Sequence, residues 1–226
     1  MALPEIRRND RVFICGQTGG GKSALAHFLF RSVPVPVTQQ QSKLDPQWRL
    51  VVDIADSVVD PALTFIDPSK VPWDKSYSLR FVPDIRNLTE QVEVLLGSVR
   101  EHGNCWVWID ELGAISTSHS TGPNLLWLTM QARKFGVGVC SATPRPVGVN
   151  PAFYGQAQHL FSFIMTDPND IGHVASSFGL PPSDFRRLLY SLPPFGYVWY
   201  NVRTLERLIM PPLDPEIIMA LEANAE

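Results

Sequence analysis

The run Gly16-Gln17-Thr18-Gly19-Gly20-Gly21-Lys22-Ser23 fits the pattern G-x-x-x-x-G-K-[ST]. Residue types in that order suit the capture of a phosphate chain. Glycine admits backbone angles closed to other residues, so successive N–H groups can turn toward one anion. A helix that starts at the lysine aims its positive end at the same point. Lys22 supplies a point charge to the β- and γ-phosphates, and the Ser23 hydroxyl is a ligand for Mg2+. A second run, Cys105-Trp106-Val107-Trp108-Ile109, is apolar throughout and ends in Asp110-Glu111. Asp110 is expected to hold Mg2+, and Glu111 to orient and deprotonate an attacking water. The two runs predict ATP and Mg2+ as ligands and hydrolysis as the reaction. Residues 16–23 form the binding loop, Ser23 and Asp110 the metal ligands, and Lys22, Asp110 and Glu111 the reacting set. A glutamate directly after the magnesium aspartate favours hydrolysis over transfer to a small acceptor.

Such groups need elements that hold them. Residues 11–15 form a short apolar run before the glycines and read as a buried strand. Residues 22–31 have helical apolar spacing at Leu25, Phe28 and Leu29. Further strands are expected at 50–54, 78–82, 105–109, 136–142, 159–165 and 197–202. Helices are expected at 87–101, 125–135, 169–178 and 183–192, with a helical or disordered tail from Asp214. Strands that are apolar throughout and alternate with helices predict an α/β fold. Its sheet is mostly parallel and covered by helices on both faces. A ligand site is then expected at the carboxyl ends of the strands.

The chain has 226 residues, 45% of them apolar and 18% charged, enough for one sizeable core and unlike a disordered or fibrous sequence. The expected organisation is one domain over 1–226, with a core at about 11–210 and a tail at 211–226. A formal net charge of −3 argues against coating nucleic acid by bulk charge, though not against contact through a few loops. Cys15, Cys105 and Cys140 each sit in or beside an apolar run and read as buried reduced thiols. The five histidines lie far apart, with no metal-ligand spacing. No apolar run reaches membrane-spanning length and the first residues carry no signal-peptide stretch, so a soluble, intracellular protein without membrane insertion is expected.

With these motifs in place, the sequence resembles the FtsK–HerA superfamily of ring-forming DNA translocases from about Arg11 to Met210. After the acid pair come Gln131-Ala132-Arg133-Lys134-Phe135-Gly136, a strand, and Thr143-Pro144-Arg145-Pro146. This is similar to the superfamily's block of helix, arginine, glycine, strand and Ala-Thr-Gln-Arg-Pro. Pro193–Tyr197 resembles its Leu-Pro-x-Gly ending. The resemblance implies a RecA/FtsK-like P-loop NTPase fold and an arginine that reaches a neighbour's ATP. Arg133 matches that position best and Arg145 comes second. Pro144 stands where the superfamily has a glutamine that senses the γ-phosphate, which leaves Thr143 or Ser141 for that task. The length fits the genome-packaging ATPases of tailless icosahedral viruses with internal membranes. That branch implies double-stranded DNA as cargo, a homo-oligomeric ring (pentamer or hexamer), capsid vertex proteins as partners, and a place in the host cytoplasm and at the packaging vertex of the virion. Candidate DNA contacts are the loops 115–122, 147–158 and 33–49, the last with Lys43 and Arg49. Trp106 and Trp108 read as core residues. Alternatives are a cellular or plasmid translocase of the same superfamily and a filamentous-phage assembly ATPase. A nucleoside kinase would need an arginine-rich lid, which the sequence lacks.

Overall fold

Runs such as RVFIC and CWVWI bury every residue. A strand of that kind is stable only when both faces of its sheet are covered. The computed structural model, which describes residues 5–32, 48–54, 63–73, 78–217 and 219, shows how the cover is arranged. Among the described residues nine strands form one sheet: β1 (Arg11–Cys15), β2 (Trp48–Val52), β3 (Leu63–Phe65), β4 (Ser78–Phe81), β5 (Cys105–Ile109), β6 (Gly138–Thr143), β7 (His159–Ser162), β8 (Tyr197–Asn201) and β9 (Glu206–Met210). Their spatial order is β3-β4-β2-β5-β6-β1-β7-β8-β9. The first seven run parallel; β8 and β9 close one side as an antiparallel pair. The fold is thus mixed α/β with a mostly parallel sheet.

Alternate residues of each strand enter different cores, as the pleat requires. Phe13, Cys15, Cys105, Val107 and Ile109 join the larger core, with Leu95, Leu96 and Val99 of α2 (Leu88–His102) and Leu125 and Leu128 of α3 (Pro123–Met130). The short α4 (Ala152–Gly155), α5 (Pro168–Ala175) and α6 (Pro182–Tyr190) pack on the same side. Val12, Ile14, Trp106 and Trp108 face the other core, filled by Leu25, Ala26, Leu29 and Phe30 of α1 (Lys22–Ser32). Trp106 and Trp108 are therefore packing residues. The three cysteines are free and buried, and burial pushes the Cys15 thiol up to about 12.

Several boundaries differ from the sequence reading, each for a local reason. The expected helix 125–135 stops at Met130 and continues as a 3-10 turn, Ala132–Phe135, which ends where Gly136 adopts φ +72°. The strand expected at 136–142 then begins at Gly138. A Cβ there would collide with the Trp106 ring, so glycine lets β6 lie against β5. The strand expected at 159–165 ends at Ser162, because Phe163 leaves it to pack beneath the glycine turn. Two strands were not anticipated. β3 has three residues, and β9 has an exposed edge with no clean alternation. Within the tail, residues 211–214 are irregular and 215–217 helical; residues 218 and 220–226, and residues 33–47 with Lys43, lie outside the described residues. Among the described residues no helix is long and apolar enough to cross a membrane.

A polar knot ties the amino edge of the sheet together. Buried Asp10 accepts from the Arg7 N–H at 3.0 Å and pairs with His159 Nε2 at 3.0 Å and Arg203 at 2.6 Å. The Trp199 indole N–H donates to His159 Nδ1 at 3.2 Å. These contacts join the approach to β1 with β7, β8 and the β8–β9 turn.

Candidate nucleotide site

At the carboxyl end of β1 the chain turns sharply through its glycines. Gly16 has φ +141°, and a Cβ on it would lie 2.6 Å from Phe163 Cβ. Gly21 has φ +104° with the Phe163 ring 3.1 Å from its would-be Cβ. The backbone angle disfavours a side chain at both positions, and at Gly16 the space excludes one as well. The turn is pinned by Gln17 N–H donating to the Ile164 carbonyl at 3.0 Å and Gly20 N–H to the Gln17 carbonyl at 3.1 Å. Helix α1 starts at Lys22, and its first amides have no partner within the helix by construction. Lys22 Nζ donates to the Gln17 carbonyl at 3.1 Å, holding its ammonium over the loop.

Parallel pairing brings the acids to the same edge. Cys15 lies opposite Thr143, and Ile109 opposite Ser141. Asp110 therefore emerges one strand away from the loop, beyond β6. Thr18, Gly19, Gly21, Lys22 and Ser23 line one side of a cavity of about 340 Å3; Asp110, Glu111 and Thr143 line the other. This volume is within the range of small-molecule pockets. Gly16 and Gly20 instead rest on Phe163, and Gln17 faces a smaller neighbouring cavity.

The cavity sets two carboxylates against one ammonium. Burial first, then the Glu111 and Asp53 carboxylates, push the Asp110 carboxyl up to about 6, while Lys22 opposes them. Burial lowers the Lys22 ammonium pKa, and Glu111 and Asp110 act in the other direction. Glu111 sits in the left-handed region at φ +59°, unusual for a glutamate. A hard cation with oxygen ligands fits the Asp110 carboxylate and the Ser23 hydroxyl, with the Glu111 carboxylate beside them. Asp53, fully buried at the end of β2 and paired with Arg80 at 2.6 Å, was missed in the sequence. Its signal was the same as that of Asp110, an apolar strand that ends in an acid. Phe163 and Phe195 were also missed: Phe163 reads as a residue of the strand expected at 159–165, and Phe195 lies in the Pro193–Tyr197 run, whose residues carry no chemistry in the sequence reading.

The remaining expected groups divide between the two edges of the sheet. Ser141 Oγ donates to the Val12 carbonyl inside the sheet, away from the cavity. Thr143 lines the cavity, and Pro144 the neighbouring one. Arg145 also lines that neighbouring cavity and pairs with Asp167 at 2.9 Å and Asp170 at 3.5 Å. Arg133 lies before the amino end of β6, next to Arg11, whose pKa is lowered by burial and then by the Arg133 charge. Strand β6 separates it from the cavity by roughly 15–20 Å. Within one chain the two do not meet. The loop 115–122 is held by a Ser116–Thr121 bridge, and Asn150 of the 147–158 segment donates to both of those hydroxyls.

Solved structures place this architecture among known folds. The genome-packaging NTPase B204 from Sulfolobus turreted icosahedral virus 2, in complex with AMPPCP, superposes with a TM-score of 0.71 at 17% identity, covering 91% of this chain and 98% of that one. The chain has the fold of a packaging NTPase. B204, the DNA-packaging ATPase from Sulfolobus turreted icosahedral virus, gives 0.61 at 16% identity, over 92% of this chain and 100% of that one. The packaging-NTPase fold is shared more widely. The N-terminal domain of zonular occludens toxin from Neisseria meningitidis gives 0.52 at 12% identity, over 93% of this chain and 97% of that domain. No family model and no curated protein sequence matches the chain.

Proposed function

We propose that this chain is an ATPase that drives double-stranded DNA into a preformed viral capsid, working as one ATPase domain in a homo-oligomeric ring of five or six subunits at the capsid vertex. The observation that carries the reading is the shared cavity: the glycine loop, Lys22 and Ser23 face Asp110 and Glu111 across it, on a fold like that of B204. Loop and helix amides, with Lys22, hold the triphosphate. Ser23 and Asp110 would hold Mg2+, which would supply charge neutralisation for the phosphoryl group. Glu111 accepts a proton from water as its oxygen bonds to the γ-phosphorus. The bond to the ADP oxygen breaks, releasing ADP and phosphate. Thr143, which lines the cavity, takes the task of sensing the γ-phosphate in this reading, because Pro144 has no polar side chain.

The position of Arg133, on the edge away from its own cavity, supports a role toward a neighbouring subunit. Exposed Met130 and Phe135 flank it and offer apolar contact area for such a neighbour. Arg145, held by two aspartates beside its own loop, is the less suited of the two.

The direct test measures ATP hydrolysis by the purified chain with and without duplex DNA, alongside particle size. Stimulation by DNA together with a ring-sized particle supports the motor. Hydrolysis that ignores DNA and remains monomeric contradicts it.

A further inference from the structure

Phe195 is a large aromatic residue that is 62% exposed, and it holds φ +57°. It occupies the third position of the turn Pro193-Pro194-Phe195-Gly196, closed by Gly196 N–H donating to the Pro193 carbonyl at 2.9 Å. A positive φ at that position favours glycine or asparagine. A phenylalanine there is strained and gains little from burial, and strain of this kind clusters at functional sites. Phe195 also lines the cavity that holds Lys22, Ser23 and Asp110.

The sheet explains how it arrives there. β8 is antiparallel to β7, with Ser162 opposite Val198. Its first residues therefore lie at the edge where the parallel strands end. Two residues on, the Tyr197 ring packs 5.2 Å from the Phe163 ring, and Phe163 supports the glycine loop. The phosphate loop and the Phe195 turn are thus mounted on one aromatic stack. Along this edge the order is Asp110 after β5, Thr143 at the end of β6, the loop after β1, and Phe195 before β8. The acids and Thr143 fix the end that takes the terminal phosphate. The opposite end of a nucleotide then falls on the Phe195 side.

We propose that Phe195 is the platform on which the nucleobase stacks, and that the site takes purine in preference to pyrimidine nucleoside triphosphates. This rests on the reading of the cavity as a triphosphate site. Stacking on an aromatic ring tolerates any base but grows with the area of the base, so purines gain most. The strained turn keeps the ring exposed and oriented before the ligand arrives.

The test uses calorimetric binding of Mg·ATP, Mg·CTP and magnesium tripolyphosphate to the full chain, with thermal melts in parallel. Three forms are compared: wild type, Phe195→Gly and Phe195→Tyr. Glycine is at ease at φ +57°, so Phe195→Gly should melt no lower than wild type. It should bind ATP about tenfold more weakly, lose the preference for ATP over CTP, and bind tripolyphosphate as wild type does. Phe195→Tyr should restore ATP binding. An unchanged ATP affinity in Phe195→Gly overturns the proposal, as does an equal loss for ATP and tripolyphosphate. Wild-type protein that binds neither ATP nor tripolyphosphate would instead overturn the triphosphate site itself.

Discussion

At Asp110 the demands of folding and of ligand binding conflict. Burial and two neighbouring carboxylates push it up to about 6, whereas an aspartate in an unfolded chain releases its proton near 4. Between those values the folded state binds more protons than the unfolded state, so stability falls as pH rises through the window. Above about 6 the cost is complete, on the order of 1–3 kcal/mol. Asp110→Asn should therefore raise the melting temperature at pH 8, leave it nearly unchanged at pH 4, and remove magnesium-dependent ATP binding. A melting temperature that drops at pH 8 would contradict the electrostatic account. In wild type, magnesium-dependent binding should weaken as pH falls through about 6, because the ligating form is the carboxylate. Glu111 is expected to act on the water and not on binding. Glu111→Gln should keep ATP affinity within about threefold while turnover falls about a hundredfold or more. Single-turnover hydrolysis measured beside nucleotide binding separates the two.

Elements are held in register by contacts that no single segment contains. Asp10 is the clearest case. Burial alone would raise its pKa, but His159, the Arg7 N–H and Arg203 outweigh that and hold it below the usual carboxylate range. A lowered pKa means the contribution is present above about pH 4 and is lost as pH falls through the folded value. Asp10→Asn should cost about 2–4 kcal/mol at pH 7, and the gap from wild type should close in acid. Denaturant melts at pH 7 and pH 3 test this; a gap independent of pH would mean the carboxylate charge is not what matters. β6 depends on Gly138, whose missing side chain leaves room for the Trp106 ring. Overpacking that contact shifts the strand that carries Thr143 to the cavity.

For the whole molecule, the arrangement of the two sheet edges matters most. The cavity lies at the carboxyl edge and Arg133 at the amino edge. In the proposed ring each subunit presents its arginine to a neighbour's cavity. Arg133→Ala subunits mixed with wild type should then depress hydrolysis below the wild-type fraction, since each variant disables a site it does not own. Activity in simple proportion to that fraction would argue that the arginine does not act between subunits. The same measurement with Arg145→Ala should show no such poisoning, because Arg145 pairs with aspartates beside its own loop.

The sequence alone determined those features whose geometry is carried within a few consecutive residues. The glycine loop with Lys22 and Ser23, the apolar strand that ends in Asp110-Glu111, and the alternation that gives a parallel α/β sheet are of this kind. Backbone permissiveness, helix polarity and strand periodicity act locally, so their signatures can be read locally. The convergence of the loop and the acids was expected from the two motifs together, whereas the strand order that produces it was not predicted. Asp53 beside Asp110, Phe163 beneath the glycines, Phe195 across the cavity, and the separation of Arg133 from Arg145 were decided by tertiary structure. Those relations depend on which strands lie side by side and in what register. Packing energies between residues distant in the chain select that register, and no local pattern encodes them.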